Sequence, residues 1–417
     1  MQSYIFIKTE KDYWMNIALY LAKKIQHTKN QTFSSIIIKV GIASIAIAVS
    51  VLILSFFILV GFKNTIKKKL FSQTSHIQVN KITLNRSFEE ATMANNLDFF
   101  NKSIKLPEVK SVNKVALKSV ILKSEEEISG VVLKGIDSKY DWNEFEQNII
   151  EGRKLSFLAE NEIIISKKIA NELQLKLEDD LLVYFIQNPP RARKLKIVGI
   201  YDSNVEELDQ VYVLTSLKLI QKINNWEKGE FGHYEIFIKD IETIDEVKKK
   251  LLEIFPQEYE VLKVPEILPQ FFDWFKLLDR NIIMVIALIT IVAAFNMISV
   301  LLIMIMERTP MIGLLKAVGT QNRQIRNIFL INGSKIILWG LIWGNLLGIG
   351  IAYLQSTYKL VKLDAANYYM NYVPIDWNWW IVLIVNLSVF VVVLLVTYLP
   401  SLIIKKISPV EALKYKD

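Results

Sequence analysis

Residues 281–306 read NIIMVIALITIVAAFNMISVLLIMIM, 26 positions without an Asp, Glu, Lys or Arg, and residues 307–319 continue as ERTPMIGLLKAVG. A helix rising about 1.5 Å per residue crosses the ~30 Å hydrocarbon layer in roughly 20 residues, so the first stretch predicts a transmembrane helix. Three further charge-free runs meet the same test: 40–62 (23 residues), 336–358 (23) and 377–404 (28). A wholly soluble protein is excluded. The expected fold class is a multi-pass α-helical membrane protein with four transmembrane helices and a large α+β extracytoplasmic domain between the first two.

The composition agrees, with 52% hydrophobic and 22% charged residues over 417 positions. The net charge of +8 is unevenly placed. Residues 63–280 carry 33 Lys and Arg against 35 Asp and Glu, whereas the remainder carries 17 against 7. Residues 1–39 hold 6 basic and 2 acidic groups, 307–335 hold 5 and 1, and 359–376 hold 2 and 2. A surplus on alternating connections is the positive-inside pattern and not a nucleic-acid footprint. It predicts a membrane protein with both termini cytoplasmic. Lys63, Lys67, Lys68 and Lys69 run against the rule, but long translocated domains obey it poorly.

The expected order is a cytoplasmic segment at 1–39, a span at 40–62, an extracytoplasmic domain at 63–280 and a second span at 281–306. A cytoplasmic connection at 307–326, a span at 327–358, a short outer loop at 359–376, a span at 377–404 and a cytoplasmic tail at 405–417 complete it. Trp14, Ile17, Ala18, Leu21 and Ile25 recur at helical spacing, which predicts an amphipathic helix on the membrane face or on a partner. The outer domain reads as α+β. Strands are expected near 76–79, 131–135, 162–166, 181–186, 195–200, 210–214 and 234–239, and helices near 91–102, 167–173, 217–224 and 243–255. A helix at 268–278 should run on into the second span.

Catalytic chemistry finds no foothold. No G-x-x-x-x-G-K-[ST] loop is present, the three histidines His27, His76 and His233 show no metal-ligand spacing, and there is no cysteine. No cofactor is expected on this chain. Gly340, Gly344 and Gly348 stand four apart in the third span, a spacing that lets another helix approach closely. Asn296, Asn345 and Asn386 lie inside spans and are expected to join helices, because an amide facing lipid is costly. In the connection after the second span, Pro310 can begin a short helix, Gly319 can end it, and Thr320 can cap the next.

That connection also carries a resemblance. Glu307, Arg308, Ile312, Gly313, Lys316, Ala317 and Gly319 fall on the pattern E-R-x-x-x-I-G-x-x-K-A-x-G, similar to the permease family of ABC transporters that includes FtsX, MacB and the lipoprotein-releasing (Lol-type) proteins. The tail from Pro400 through Pro409, Glu411, Ala412 and Leu413 resembles the family's closing motif. Leu133-Lys134-Gly135-Ile136-Asp137 and Ile150-Glu151-Gly152-Arg153 resemble the periplasmic signature of the lipoprotein-releasing members. Two departures stand out: the family's L-G-x-x-x-G-D becomes Leu173-Gln174-Leu175-Lys176-Leu177-Glu178-Asp179, and the loop that hooks a carrier in some members shrinks to about 187–194.

The resemblance implies a permease of the mechanotransmission type in a bacterial inner (cytoplasmic) membrane that releases lipoproteins, with a MacB-like periplasmic core and an inserted β-rich subdomain near 121–232. ATP and Mg²⁺ would bind a separate ABC ATPase dimer, contacted through Glu307, Arg308, Ile312, Gly313, Leu315, Lys316 and Gly319. A second permease subunit, identical or homologous, a lipoprotein substrate and a periplasmic carrier are the other implied partners. Phe56, Phe57, Met297 and Val300 are candidates for the wall of a lipid cavity. A MacB-like export permease and an FtsX-like regulator of a cell-wall hydrolase share the same motifs.

Overall fold

The structure, a computed structural model, describes residues 33–407 apart from 84–89, 95, 125–126 and 144. The expected N-terminal amphipathic helix and most of the tail motif fall outside those residues. The chain divides into a helical unit, formed by residues up to 62, 277–361 and from 373 onward, and a sheet unit of residues 63–276 and 362–372.

Among the described residues, the helical unit holds four helices long and apolar enough to cross a membrane. They are α1 (Phe33–Thr74), α6 (Pro269–Glu307), α8 (Asn322–Tyr358) and α9 (Trp379–Ser401), with the short α7 (Thr309–Ala317) between α6 and α8. α1 and α6 continue beyond their apolar cores into the sheet unit's residues, so the expected span limits mark hydrophobicity and not helix ends. Ile45, Val49, Phe57, Met297, Leu301, Ile336 and Val389 form the packed interior.

Small residues decide how closely these helices approach. A Cβ on Gly340 would lie 2.6 Å from Ile45 Cβ, and one on Gly344 would lie 2.7 Å from Val49 Cβ, so α8 packs backbone to backbone on α1. The seam is therefore internal to the chain. Asn345 and Asn386 exchange reciprocal amide bonds of 2.7 and 2.9 Å between α8 and α9. Asn296 donates to Ser44 Oγ at 2.6 Å between α6 and α1.

The sheet unit contains β1 (Ile77–Lys81), α2 (Leu97–Ile104), β2 (Val109–Lys123), β3 (Ile128–Ile136), β4 (Ile149–Gly152), β5 (Glu162–Ser166) and α3 (Lys167–Glu172). After these come β6 (Asp180–Phe185), β7 (Arg191–Tyr201), β8 (Tyr212–Ser216), α4 (Leu217–Asn224), β9 (His233–Ile238), α5 (Ile244–Ile254) and β10 (Tyr259–Lys263). All ten strands join one sheet in the order β10-β1-β9-β2-β3-β8-β5-β7-β4, with β6 pairing β2 and β7.

The strands expected in a separate insert near 121–232 are therefore hydrogen-bonded into the common sheet. The 15-residue β2 makes this possible: residues 109–115 pair with β9, and residues 120–123 pair with β6. Two ladders are parallel, β3 with β8 and β5 with β7, and the rest are antiparallel. The helix expected from residue 91 begins at Leu97, because Met93 is drawn into a bridge with Phe231 and Asn96 caps the helix by accepting the Asp98 N–H at 2.9 Å.

Candidate functional site

Two features are placed for work, the short helix α7 and a groove between α1 and α6. Pro310 sits in the first turn of α7, where its missing N–H costs nothing. Gly319 ends the turn with φ +92°, and nothing lies within 4 Å of a Cβ there, so conformation and not crowding favours glycine. The amides of Gly319 and Thr320 donate to the carbonyls of Lys316 and Leu315 at 3.0 and 2.9 Å. The next helix is capped by Gln321 and Gln324 in a capping box, one residue later than the Thr320 cap read from sequence.

The faces of α7 correct the sequence reading. Ile312 and Gly313 are buried and Leu315 is half-buried against the helical core. Lys316 turns inward as well, its ammonium donating to the carbonyls of Ile404 and Ile407, both at 2.7 Å, just past the end of α9. Four of the seven candidate contact residues thus hold α7 in place. Glu307 and Gly319 are exposed and Arg308 is half-buried. The outward apolar surface belongs to Met306, Leu314 and Val318, exposed by 71%, 57% and 79%. All three fall outside the motif's fixed positions, so a reading by motif passes over them.

The groove has a volume of about 470 Å³. Val40, Ala43, Ile47 and Val51 of α1 and Leu288 and Val292 of α6 line it, with Ser44 as its polar member. Of the residues expected in such a wall, Phe57, Met297 and Val300 are instead fully packed inside the bundle, and Phe56 packs against the same core. The resemblance implied a wall between the first two spans; the groove lies between those helices, but its lining comes from other positions on them.

In the sheet unit the signature residues are structural. Lys134 is 4% exposed and pairs with Glu235 at 2.7 Å. Gly135 lets α4 approach, since a Cβ there would lie 2.6 Å from Ile220 Cδ1. Arg153 grips Glu162 through two bonds of 3.0 and 2.6 Å, and this guanidinium holds the Glu162 carboxyl below its usual range. The altered turn keeps its shape without glycine: Gln174 and Glu178, where the family pattern has Gly, adopt φ of +54° and +72°. The shortened hairpin loop comprises residues 186–190 and leaves Ile186 55% exposed, while Arg191, already in β7, donates to the carbonyl of Ile223 at 2.9 Å.

Comparison with known proteins gives two family matches. Residues 42–254 match the MacB-like periplasmic core domain, and residues 283–409 match the FtsX-like permease C-terminal domain. The lipoprotein-releasing system transmembrane protein LolC of Buchnera aphidicola subsp. Schizaphis graminum is 24% identical over 382 residues, covering 88% of this chain and 91% of that one. LolE of Haemophilus influenzae is 20% identical over 434 residues, covering 96% and 99%. The crystal structure of the periplasmic region of MacB from Actinobacillus actinomycetemcomitans aligns with 48% of this chain and 94% of its own at 13% identity and a TM-score of 0.34. With one domain family spanning half the sequence and the other most of the remaining spans, the chain belongs to the FtsX/MacB family of ABC transporter permeases.

Proposed function

We propose that this permease releases lipoproteins from the outer leaflet of a bacterial inner membrane, working with a separate ABC ATPase dimer and a second permease subunit. The observation that carries the reading is the near full-length similarity to proteins named for lipoprotein release, 88% and 96% of this chain in the two cases above. The charge distribution orients the reading: α7 and both termini face the cytoplasm, and the sheet unit lies outside. Closure of the ATPase on ATP pushes α7 through Met306, Leu314 and Val318. The inward anchors Ile312 and Lys316 pass the push to α6, α8 and α9 instead of letting α7 yield.

Acyl chains are held in a bilayer by about 0.8 kcal/mol per buried CH₂, so extraction needs energy and an apolar shelter. The ATPase supplies the first, and the groove between α1 and α6 offers the second. Transfer to a soluble periplasmic carrier would complete the cycle.

Depletion of the permease tests the cargo. Mature lipoproteins should accumulate in the inner membrane; unchanged sorting together with altered cell separation or drug tolerance would sink this reading and favour an FtsX-like or MacB-like role. The docking face is tested by Leu314→Asp and Val318→Asp. Each should weaken ATPase copurification by roughly tenfold or more, as for a buried interface anchor, and leave the melting temperature of the permease unchanged because both side chains are exposed. Retained copurification would place the contact elsewhere.

A further inference from the structure

The end of α1 enters the sheet unit in an unusual way. Ser72, Gln73, Thr74 and Ser75 form a run of four polar residues, each no more than 3% exposed. A helix end buried this deeply must find partners for its last carbonyls. It finds them in side chains from several strands and loops.

The Gln73 carbonyl accepts from the Lys134 ammonium of β3 at 2.6 Å, and the Gln73 side-chain amide donates to Asp209 at 2.9 Å. The Ser72 hydroxyl accepts from the Asn148 amide at 3.0 Å. The Thr74 carbonyl accepts from Gln78 at 3.0 Å, and one turn earlier Lys69 donates to the carbonyl of Tyr369 at 2.6 Å. Each partner is itself held. Lys134 pairs with Glu235 of β9 at 2.7 Å, on the far side of β2, and His233 on the same strand meets Glu90 at 2.5 Å. Asp209 accepts from the hydroxyl and amide of Ser203 at 2.6 and 3.1 Å.

Apolar packing alone, as at the fully buried Ile66 and Leu70, would let a helix slide or rotate by fractions of a turn at little cost. Directional bonds to fixed partners do not allow this. A buried ion pair is also a poor source of net stability, and its best-attested use is to fix one register among alternatives. The geometry points to a different purpose from stability: we propose that this polar socket is the joint through which displacement of α1 is delivered to the sheet. Gln73, Lys134, Glu235 and Asp209 are then positioning residues of transport. The inference rests on the transport reading above, since without a moving span the joint carries no load.

The double variant Lys134→Met/Glu235→Gln removes the ion pair as a unit and leaves no buried unpaired charge, so the sheet unit should still fold. The test uses the full-length permease purified with its copurifying ATPase. Spin labels go on cysteines at the exposed Lys68 of α1 and Ile128 of β3, in a chain with no cysteine of its own. The distance distribution between the labels should broaden to about twice its width. Lipoprotein release per ATP hydrolysed should fall roughly tenfold, within the range seen when coupling networks are cut. Lys134→Arg, which keeps the charge, should behave as wild type. Gln73→Leu, which removes the side-chain amide's bonds to Asp209 and Tyr201 and keeps the backbone bond to Lys134, should give a smaller shift in the same direction and serves if the double variant fails to fold. An unchanged label distribution, or release per ATP within twofold of wild type, overturns the joint. If the wild-type complex releases no lipoprotein at all, the transport reading falls, and the label distances still decide whether the socket fixes α1.

Discussion

The two units of this permease solve the same packing problem with opposite means. The sheet unit buries charge: Lys134, Glu235 and His233 are each at most 4% exposed and are arranged as a chain of ion pairs. The helical unit relies instead on the close approach at Gly340, Gly344 and Gly348 and on amide hydrogen bonds, Asn345 with Asn386 and Asn296 to Ser44. The difference follows from solvent. A domain folding in water gains from removing apolar surface, and that gain can carry the desolvation of a few paired ions. Helices in lipid gain nothing from burying one apolar surface against another, so close backbone contact and hydrogen bonds must hold them.

Breaking the charge chain at one end should give the largest effect. Lys134→Met leaves the buried Glu235 with His233, 3.7 Å away, as its remaining cation; loss of one partner of a buried pair typically costs about 3–5 kcal/mol, and the lower end applies here. Chemical unfolding should show a transition of the sheet unit shifted by that amount, with the helical unit unmoved; equal shifts in both would dissolve the contrast between them.

The counterpart in the helical unit is Gly344→Leu. Its side chain would have to enter the space of Val49 and the Ala46 carbonyl, 2.8 Å from the added Cβ. Overpacking costs typically about 1–3 kcal/mol, and here backbone stands in the way, so the upper end applies. Thermal melts in mild detergent should show the loss, with the sheet unit's protease resistance retained.

Acidity separates the units more gently. Burial by itself would lower the pKa of His233, but the carboxylates of Glu90 and Glu235 outweigh it and raise the value from 6.5 to about 9. Glu90 precedes α2, Glu235 shares β9, and Lys134 of β3 faces Glu235 from the other side. A raised folded pKa means that the stabilisation is complete below about pH 6.5 and is lost as pH climbs through about 9. Asp209, raised to about 6 chiefly by burial, adds a slope of the same sign at lower pH, with stability growing as pH falls through 6 toward 3.8. The melting temperature of the sheet unit should therefore decline from pH 6.5 to 9.5, and His233→Gln should flatten that part of the curve. A decline that survives this substitution would mean the histidine does not carry it.

The smallest expected change is a gain. Gln174 holds a left-handed backbone that costs a non-glycine residue about 1–2 kcal/mol, partly offset by the extra freedom glycine has when unfolded. Gln174→Gly should stabilise the sheet unit by roughly 0.5–1 kcal/mol. Destabilisation instead would show that the side chain's contacts outweigh the strain.

Much of this protein was legible from local pattern. Charge-free runs of 23 to 28 residues fix the four spans, because hydrocarbon thickness sets a length that sequence can be measured against. The Glu307–Gly319 motif, its proline start and its glycine end fix a short helix between two spans, since caps act over three or four residues. Runs rich in β-branched and aromatic residues marked β1, β3 and β5 to β9. The same signal missed the short β4 and β10, and also β2, whose Lys114 and Lys118 interrupt the apolar pattern although Lys118 is buried.

Only the tertiary structure decided the rest. Which side of α7 faces outward depends on where α8 and α9 lie, and no periodicity within nine residues could assign Ile312 inward and Leu314 outward. Lys134 and Glu235 stand 101 positions apart, and Gln73 and Asp209 stand 136 apart. The first pairing exists only once β9, β2 and β3 are side by side, and the second only once the end of α1 meets the segment before β8, because such bonds act over less than 4 Å in space and over no fixed interval in sequence.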